Sequence, residues 1–212
     1  MTYKVGIVGY GVVGKRRHAA LKKIHDFEVT SLSDISFKHE NNIPNLNCYS
    51  DFKDLIKNED LDILFISLPN YHSASATLLG LKKNLHVFCE KPPAKTLIEL
   101  IPIKEHLEKT DLKLMYGFNH RFHSSVMHAK KIIDSGRLGE ILNLKGIYGK
   151  SKMISFNQTD WRTDREKSGG GILLDQGIHM LDLMNYFVGG FDNIFSIIQN
   201  TFWNFDVEDN AF

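Results

Sequence analysis

A glycine-rich turn between an apolar strand and a helix constrains the fold of this chain more than any other feature. Residues 4–8 are short and β-branched, and residues 9–14 follow them with the sequence Gly-Tyr-Gly-Val-Val-Gly. Residues 12–24 then show helical character. A strand, a glycine turn and a helix in this order are typical of the first unit of a doubly wound α/β sheet. The sequence therefore predicts an α/β fold built on a parallel sheet.

Each glycine of the turn has its own physical role. Gly9 permits the tight turn, Gly11 lets the backbone approach a pyrophosphate, and Gly14 lets the helix pack closely on the strand. The helix start offers free N–H groups at Val12 and Val13 together with the positive end of the helix dipole. We therefore expect these five residues to bind the pyrophosphate of a dinucleotide.

An aspartate after the second predicted strand supports dinucleotide binding. Residues 27–32 form a strand pattern, and Asp34 closes it 20 residues after Gly14. A carboxylate at this place accepts a hydrogen bond from the ribose 2′-hydroxyl of NAD and repels the 2′-phosphate of NADP. Lys38 is the nearest cation, four residues on, and would soften that preference. We expect NAD as the cofactor, with NADP bound more weakly.

Strand and helix patterns alternate through the rest of the first half. Strand patterns lie at residues 63–66, 85–89 and 112–116, and helical patterns at residues 52–57 and 74–83. Fully apolar strands such as 63–66 are typical of the centre of a parallel sheet. The sequence thus predicts a cofactor-binding domain over residues 1–118 and a second domain over residues 119–212.

The strand pattern at 85–89 ends in the sequence Glu-Lys-Pro-Pro. Proline stops the sheet ladder and biases Lys91 toward an extended conformation, at the edge where doubly wound sheets bind ligands. The turn that follows the strand pattern at 63–66 contains Pro69 and Asn70 and reaches the same edge of the sheet. We expect Pro69, Asn70, Glu90 and Lys91 to lie at the cofactor. The alternative, in which the charges only mark a strand end, fits this stretch equally well.

A helical pattern in the second half places an aspartate and a histidine one turn apart. Asp175, His179 and Asp182 stand at positions i, i+4 and i+7 and so share one helix face. Such a pair can tune each other for proton transfer, and the alternative is a polar face with an incidental pair. The three glycines at residues 169–171 indicate a backbone that passes close to another group.

The second domain is predicted to contain a helix and several strands. A helical pattern covers residues 126–135, and strand patterns cover residues 140–148, 193–202 and 207–212. The last strand pattern stops partway, so we expect the sheet of this domain to be incomplete. Unpaired strand edges require a partner or promote aggregation.

Composition narrows the classes of function. Of 212 residues, 42% are hydrophobic and 24% charged, with a net charge of +1, so nothing points to nucleic acid or an anionic membrane. Cys48 and Cys89 lack metal spacing and suit a reducing compartment. No apolar run approaches the length of a membrane span. For His120 and His123 we favour surface or core roles over metal binding. We expect a cytoplasmic protein without a resident metal.

Taken together and in order, these motifs resemble the Gfo/Idh/MocA oxidoreductase family. The set comprises the glycine turn, the Pro-Asn turn, Glu-Lys-Pro, Gly-Phe-Asn-His-Arg-Phe at 117–122 and Gly-Gly-Gly-x-x-x-Asp-x-Gly-x-His at 169–179. The resemblance covers nearly the whole chain, and the joint occurrence of these motifs in this order is highly specific. It implies a Rossmann domain, a second α/β domain whose mostly antiparallel open sheet forms one wall of the active site, and hydride transfer between a nicotinamide and a carbon bearing a sugar or cyclitol hydroxyl.

The resemblance also implies site residues and two departures. The family's catalytic lysine matches Lys91, and its aspartate and histidine match Asp175 and His179. The histidine usually found four residues after the turn proline is here His72, three residues after Pro69. The second departure is length, because family members commonly run much longer. Weaker candidates for sugar contacts, each equally compatible with packing or surface roles, are Asn119, Tyr148, Trp161 and Arg162.

Three functions stay open from the sequence. The first is an NAD-dependent dehydrogenase or reductase that acts on a sugar, a nucleotide sugar or a cyclitol. The others are a regulatory protein that binds the dinucleotide without turnover, and an inactive fragment of an enzyme. Lys91, Asp175 and His179 favour the enzyme, since a sensor needs no proton relay. Relatives often associate through the sheet of the second domain, so the resemblance implies a homo-oligomer for a relative of full length and leaves the oligomeric state of this chain open.

Overall fold

The chain divides into two compact units. A computed structural model describes residues 2–38, 43–149 and 161–212. The first unit comprises Met1–Gly117 and the second comprises Phe118–Phe212. The sequence prediction placed the division one residue later.

The first unit is built on a six-stranded parallel sheet. Its strands are β1 (Tyr3–Val8), β2 (Phe27–Ser33), β3 (Asn47–Tyr49), β4 (Ile63–Ile66), β5 (His86–Cys89) and β6 (Leu114–Tyr116). Their order is β3-β2-β1-β4-β5-β6, so the direction of winding reverses between β1 and β4. Such a reversal opens a crevice at the carboxyl ends of the two central strands. The predicted parallel α/β sheet is confirmed.

Within the described residues, four α-helices lie between these strands. They are α1 (Val12–Leu21), α2 (Phe52–Asn58), α3 (Asn70–Lys82) and α4 (Ile101–Leu107). Helix α3 begins four residues earlier than its apolar pattern predicted. Its N-cap is Pro69 with φ −57°, a value that proline holds by its ring and that suits a helix start.

The core lies on both faces of the sheet. Val5 and Ile7 belong to one buried cluster, while Val8 of the same strand belongs to the other. Alternate residues of a strand point to opposite faces, so β1 is covered on both sides. The first glycine of the turn follows this rigid strand directly.

The second unit is mainly helical within the described residues. It contains α5 (Ser124–Asp134), α6 (Arg165–Ser168), a π-helical turn (Leu173–Gly177) and α7 (Ile178–Val188). Two short antiparallel strands, β7 (Ile198–Gln199) and β8 (Asn210–Ala211), pair with each other. Among the described residues, no helix is long and apolar enough to cross a membrane.

The strand predictions for the second unit were largely wrong. Residues 140–149 form no strand, and the patterns at 193–202 and 207–212 shrink to two paired residues each. A strand forms only where a neighbour supplies the other half of its hydrogen bonds. Within the described part of the chain, these segments find that pairing only between β7 and β8.

Candidate functional site

The glycine turn is held between the ends of two strands. The Gly9 N–H donates to the Ser33 carbonyl at 2.8 Å, and Gly9 has φ +84°. A Cβ atom at Gly9 would lie 2.4 Å from the Ser67 carbonyl oxygen, just after β4. Only glycine fits both the left-handed backbone and this contact. The turn therefore lies at the carboxyl edge of the central strands.

The other two glycines differ in their surroundings. A Cβ atom at Gly14 would lie 2.0 Å from the Gly9 carbonyl oxygen, so helix α1 packs directly on the turn. At Gly11 a Cβ atom would meet nothing within 4 Å. The backbone there is open to a ligand, and no side chain of the N-cap residue Gly11 closes the first turn of α1. Val12 and Val13 occupy that first turn, so the site fits the pyrophosphate of a dinucleotide.

Asp34 is fixed beside the turn by three donors. Its Oδ2 accepts from the Tyr10 N–H at 2.8 Å. Its Oδ1 accepts from the Ser36 N–H at 3.0 Å and the Ser36 hydroxyl at 2.7 Å. A carboxylate has about four acceptor positions, so one stays available for a ribose hydroxyl. The side chain of Lys38 lies outside the described residues.

The turn after β4 begins helix α3 at the same edge of the sheet. Asn70 is buried at the helix start, directly after the N-cap Pro69. His72 packs against the Phe52 ring at 5.4 Å and the Tyr71 ring at 4.3 Å. Burial, helped by Lys53 and opposed by Asp51, lowers the pKa of His72. A packing role for His72 accounts for these contacts.

The end of β5 carries an ion pair directly before Lys91. The Arg17 Nε of α1 donates to the Glu90 Oε1 at 2.6 Å, and the Arg17 guanidinium lies 5.1 Å from the Phe88 ring centre. A Cβ atom at Gly117 would come within 2.6 Å of the Glu90 Oε2. Glu90 is thus held by a cation on one side and lies close to the backbone of Gly117, directly after β6, on the other. The peptide bond between Lys91 and Pro92 is cis.

His179 lies in an aromatic stack within the second unit. It is 5% exposed, and its ring centre lies 4.0 Å from that of His120 with an interplanar angle of 14°. Tyr148 lies on His120 at 5.9 Å and 19°. The Phe118 ring meets His179 edge-on at 6.2 Å. Sequence reasoning missed the pairing of His120 with His179, because the two residues are 59 positions apart.

Asp175 lies in the π-helical turn that precedes α7. Gln176 donates its side-chain amide to the Asp175 Oδ2 at 2.7 Å. The π-helical turn runs directly into α7, so the predicted helix forms without a break. Its first turn is wider than a turn of α-helix. π-Helical turns are frequent at functional sites.

The three glycines meet a buried glutamate. A Cβ atom at Gly171 would lie 2.0 Å from the Glu208 carbonyl oxygen. The Gly171 N–H donates to the Glu208 Oε1 at 2.7 Å, and the Ile172 N–H donates to the Glu208 carbonyl at 2.9 Å. Glu208 thus holds the start of the helical segment that carries Asp175. No signal in the sequence pointed to Glu208.

The remaining predicted residues have various surroundings. Asp182 accepts from the Arg121 Nε at 2.8 Å, so the third residue of the predicted face forms an ion pair. Asn119 begins the short 3₁₀ turn Asn119–Phe122 and is exposed. The Arg162 guanidinium lies 4.3 Å from the Trp161 ring centre. Of the four sugar-contact candidates, Tyr148 belongs to the ring stack that includes His179.

The structure thus presents the candidate residues in two groups. The glycine turn, Asp34, Glu90 and Lys91 belong to the first unit, and Asp175 and His179 belong to the second. The assignment of these residues to cofactor and substrate stays a prediction.

Comparison with known families gives two matches along the chain. The family model described as "Oxidoreductase family, NAD-binding Rossmann fold" (GFO_IDH_MocA) matches residues 3–118. The model described as "GFO/IDH/MocA C-terminal domain" matches residues 126–212. Together they cover most of the chain and run in the order that the motifs predicted.

Individual relatives are dehydrogenases of sugars and cyclitols by name. The chain is 30% identical over 185 residues to glucose-6-phosphate 3-dehydrogenase of Bacillus subtilis, covering 86% of this chain and 53% of that protein. It is 29% identical over 206 residues to D-glucoside 3-dehydrogenase of Escherichia coli, covering 94% and 57%. The crystal structure of myo-inositol 2-dehydrogenase from Lactobacillus plantarum matches with a TM-score of 0.78 and 27% identity, covering 94% and 60%. The chain spans about half the length of the curated relatives it matches.

Proposed function

The chain belongs to the GFO/IDH/MocA oxidoreductase family, and on that premise we propose that it binds NAD and forms the reactive part of a dehydrogenase. The reaction moves a hydride between the nicotinamide and a hydroxyl-bearing carbon of a sugar, a nucleotide sugar or a cyclitol. The observation that carries this proposal is the open backbone at Gly11 beside the fixed carboxylate of Asp34. NAD is preferred over NADP because Asp34 accepts a hydrogen bond from the ribose 2′-hydroxyl and repels a 2′-phosphate.

The substrate class follows from the names of the relatives. Two of them are named for position 3 of a glucose derivative, and the third for position 2 of inositol. Each of these positions carries a secondary hydroxyl on a six-membered ring. We therefore assign a ring hydroxyl of this kind as the group that reacts.

The chemistry divides among three side chains. NAD, when bound, supplies the hydride acceptor. The Lys91 ammonium holds the hydroxyl oxygen and stabilises the negative charge that develops on it. His179 accepts the hydroxyl proton, since an imidazole changes its charge near neutral pH. Asp175 lies one helical turn before His179 and orients its imidazole or pairs with Lys91.

The second candidate function is a dinucleotide-binding chain without turnover. Its support is the length of the chain, which spans 53% of the Bacillus relative. We propose that relatives of full length associate as homo-oligomers. The catalytic set Lys91, Asp175 and His179 favours the enzyme.

The two functions are separated by turnover and binding measured together. NADH absorbance is followed with a panel of ring sugars, sugar phosphates, nucleotide sugars and cyclitols, while NADH affinity is measured by fluorescence. Absorbance change with at least one substrate supports the dehydrogenase. Tight NADH binding without any absorbance change would support the binding protein, and absence of binding would contradict both.

A further inference from the structure

The rings of His120 and His179 lie face to face. The two ring centres are 4.0 Å apart and the ring planes differ by 14°. His179 is 5% exposed, whereas His120 is half-buried in the 3₁₀ turn Asn119–Phe122. The better-solvated ring thus covers the buried one.

The geometry excludes a direct proton relay between these rings. The N–H bonds and nitrogen lone pairs of an imidazole lie in the plane of the ring, so a hydrogen bond needs the rings edge to edge. Rings stacked with planes 14° apart point these groups past each other. His120 must therefore act on His179 through stacking and charge.

Electrostatic repulsion disfavours the state in which both stacked imidazoles are protonated. Like charges at this distance repel strongly, so the two histidines share their titration as a pair. Solvent reaches His120, whereas burial disfavours a charge on His179, so a single proton should favour His120. A charged His120 then opposes protonation of His179.

Other charges around α7 act on the same pair. Besides the two histidines, the charged and titratable side chains on the π-helical turn, on α7, on the turn Asn119–Phe122 and on α5 are Asp175, Asp182, Tyr186, Arg121, His128, Lys130, Lys131 and Asp134, and Tyr148 lies on His120. Arg121 is paired with Asp182, and Lys130 with Asp134. A carboxylate four residues earlier in the chain, Asp175, would favour a charged His179, whereas a charged His120 would disfavour it.

We propose that His120 is a positioning residue of this site, which holds the ring plane of His179 and keeps that ring neutral until substrate arrives. A proton acceptor must be neutral before the reaction, and Asp175 alone would favour the protonated form. The inference rests on the proposed role of His179 as the proton acceptor. It adds a residue that the catalytic set Lys91, Asp175 and His179 does not contain.

The test is an NMR titration of the imidazoles in the whole chain without substrate. In the wild type, His120 should take up its proton first and His179 at lower pH. His120→Phe keeps a flat ring on His179 but removes the charge, so the midpoint of the His179 titration should rise by about one pH unit or more. His120→Ala should raise it too, and should also broaden the His179 signals because the ring loses its support.

A matched control comes from the same turn. His123 is exposed and bonded to the Ser125 hydroxyl at 2.8 Å, so His123→Phe should leave the His179 midpoint unchanged. An unchanged midpoint in His120→Phe would overturn the proposal. If the variants fail to fold, the wild type alone decides, since protonation of His179 before His120 would overturn it. The titration needs no turnover, so a failure of the proposed reaction is read separately in the NADH assay.

Discussion

The Arg17 Nε lies 2.6 Å from the Glu90 Oε1 and so joins helix α1 to the end of β5. The side chains are 31% and 18% exposed, which makes this a partly buried ion pair. The ion pair fixes Glu90, the residue directly before Lys91, at the carboxyl edge of the sheet where the glycine turn also lies. The ion pair therefore links the cofactor side of the first unit to the proposed catalytic lysine.

We expect Arg17→Met to destabilise the first unit, because Glu90 would remain partly buried without its cation. The cost should be about 1–2 kcal/mol, between the values for exposed and buried pairs. Arg16, its exposed neighbour, provides the control Arg16→Met. Urea denaturation measures the difference, and equal stability of the two variants would contradict the prediction. Arg17→Met with Glu90→Gln should cost less than the sum of the single losses.

Two substitutions in the glycine turn should separate an effect on stability from an effect on NADH binding. In Gly14→Ala the new methyl would lie 2.0 Å from the Gly9 carbonyl oxygen, so the protein should lose about 1–3 kcal/mol of stability. In Gly11→Ala the methyl meets open space, so stability should stay nearly unchanged while NADH binding weakens. Thermal unfolding and NADH fluorescence measure the two effects. A Gly11→Ala variant that binds NADH normally would contradict the placement of the pyrophosphate.

Asp34 should set the cofactor preference. Asp34→Ala removes a charged hydrogen bond to the ribose, which should weaken NADH binding by about tenfold or more. The affinity for NADPH should rise or stay the same, so the difference between the affinities for NADH and NADPH should become smaller. Asp26, an exposed aspartate before β2, provides the control Asp26→Ala. Tighter binding of NADPH than NADH by the wild type would refute the prediction.

The proposed chemistry predicts losses in turnover without losses in cofactor affinity. Lys91→Met and His179→Ala should each lower kcat by about 10²–10⁴-fold, the usual contribution of general acid–base catalysis. NADH dissociation constants should change little. Steady-state kinetics on a substrate found in the panel measure this, and near-normal turnover in either variant would remove that residue from the mechanism. In the double variant, kcat should fall by less than the product of the two single reductions, since both residues are proposed to act on one hydroxyl.

The parts of the fold that were predictable are encoded in short stretches of sequence. The strand before Gly9, the glycine spacing and the position of Asp34 all follow from local patterns and backbone sterics. Their places in the first unit agree with those predictions. The strand pattern over residues 140–148 misled the prediction, because strand formation depends on a distant partner and residues 140–148 form no strand.

The sequence by itself determined the parallel sheet, the glycine turn and the residue types that bear the chemistry. Only the tertiary structure decided which of them meet. Arg17 and Glu90 are 73 positions apart, and Gly171 and Glu208 are 37 apart. His120 and His179 likewise come together only because α7 packs against the 3₁₀ turn after β6. Such contacts depend on how the chain folds back on itself, and spacing along the sequence carries no record of them.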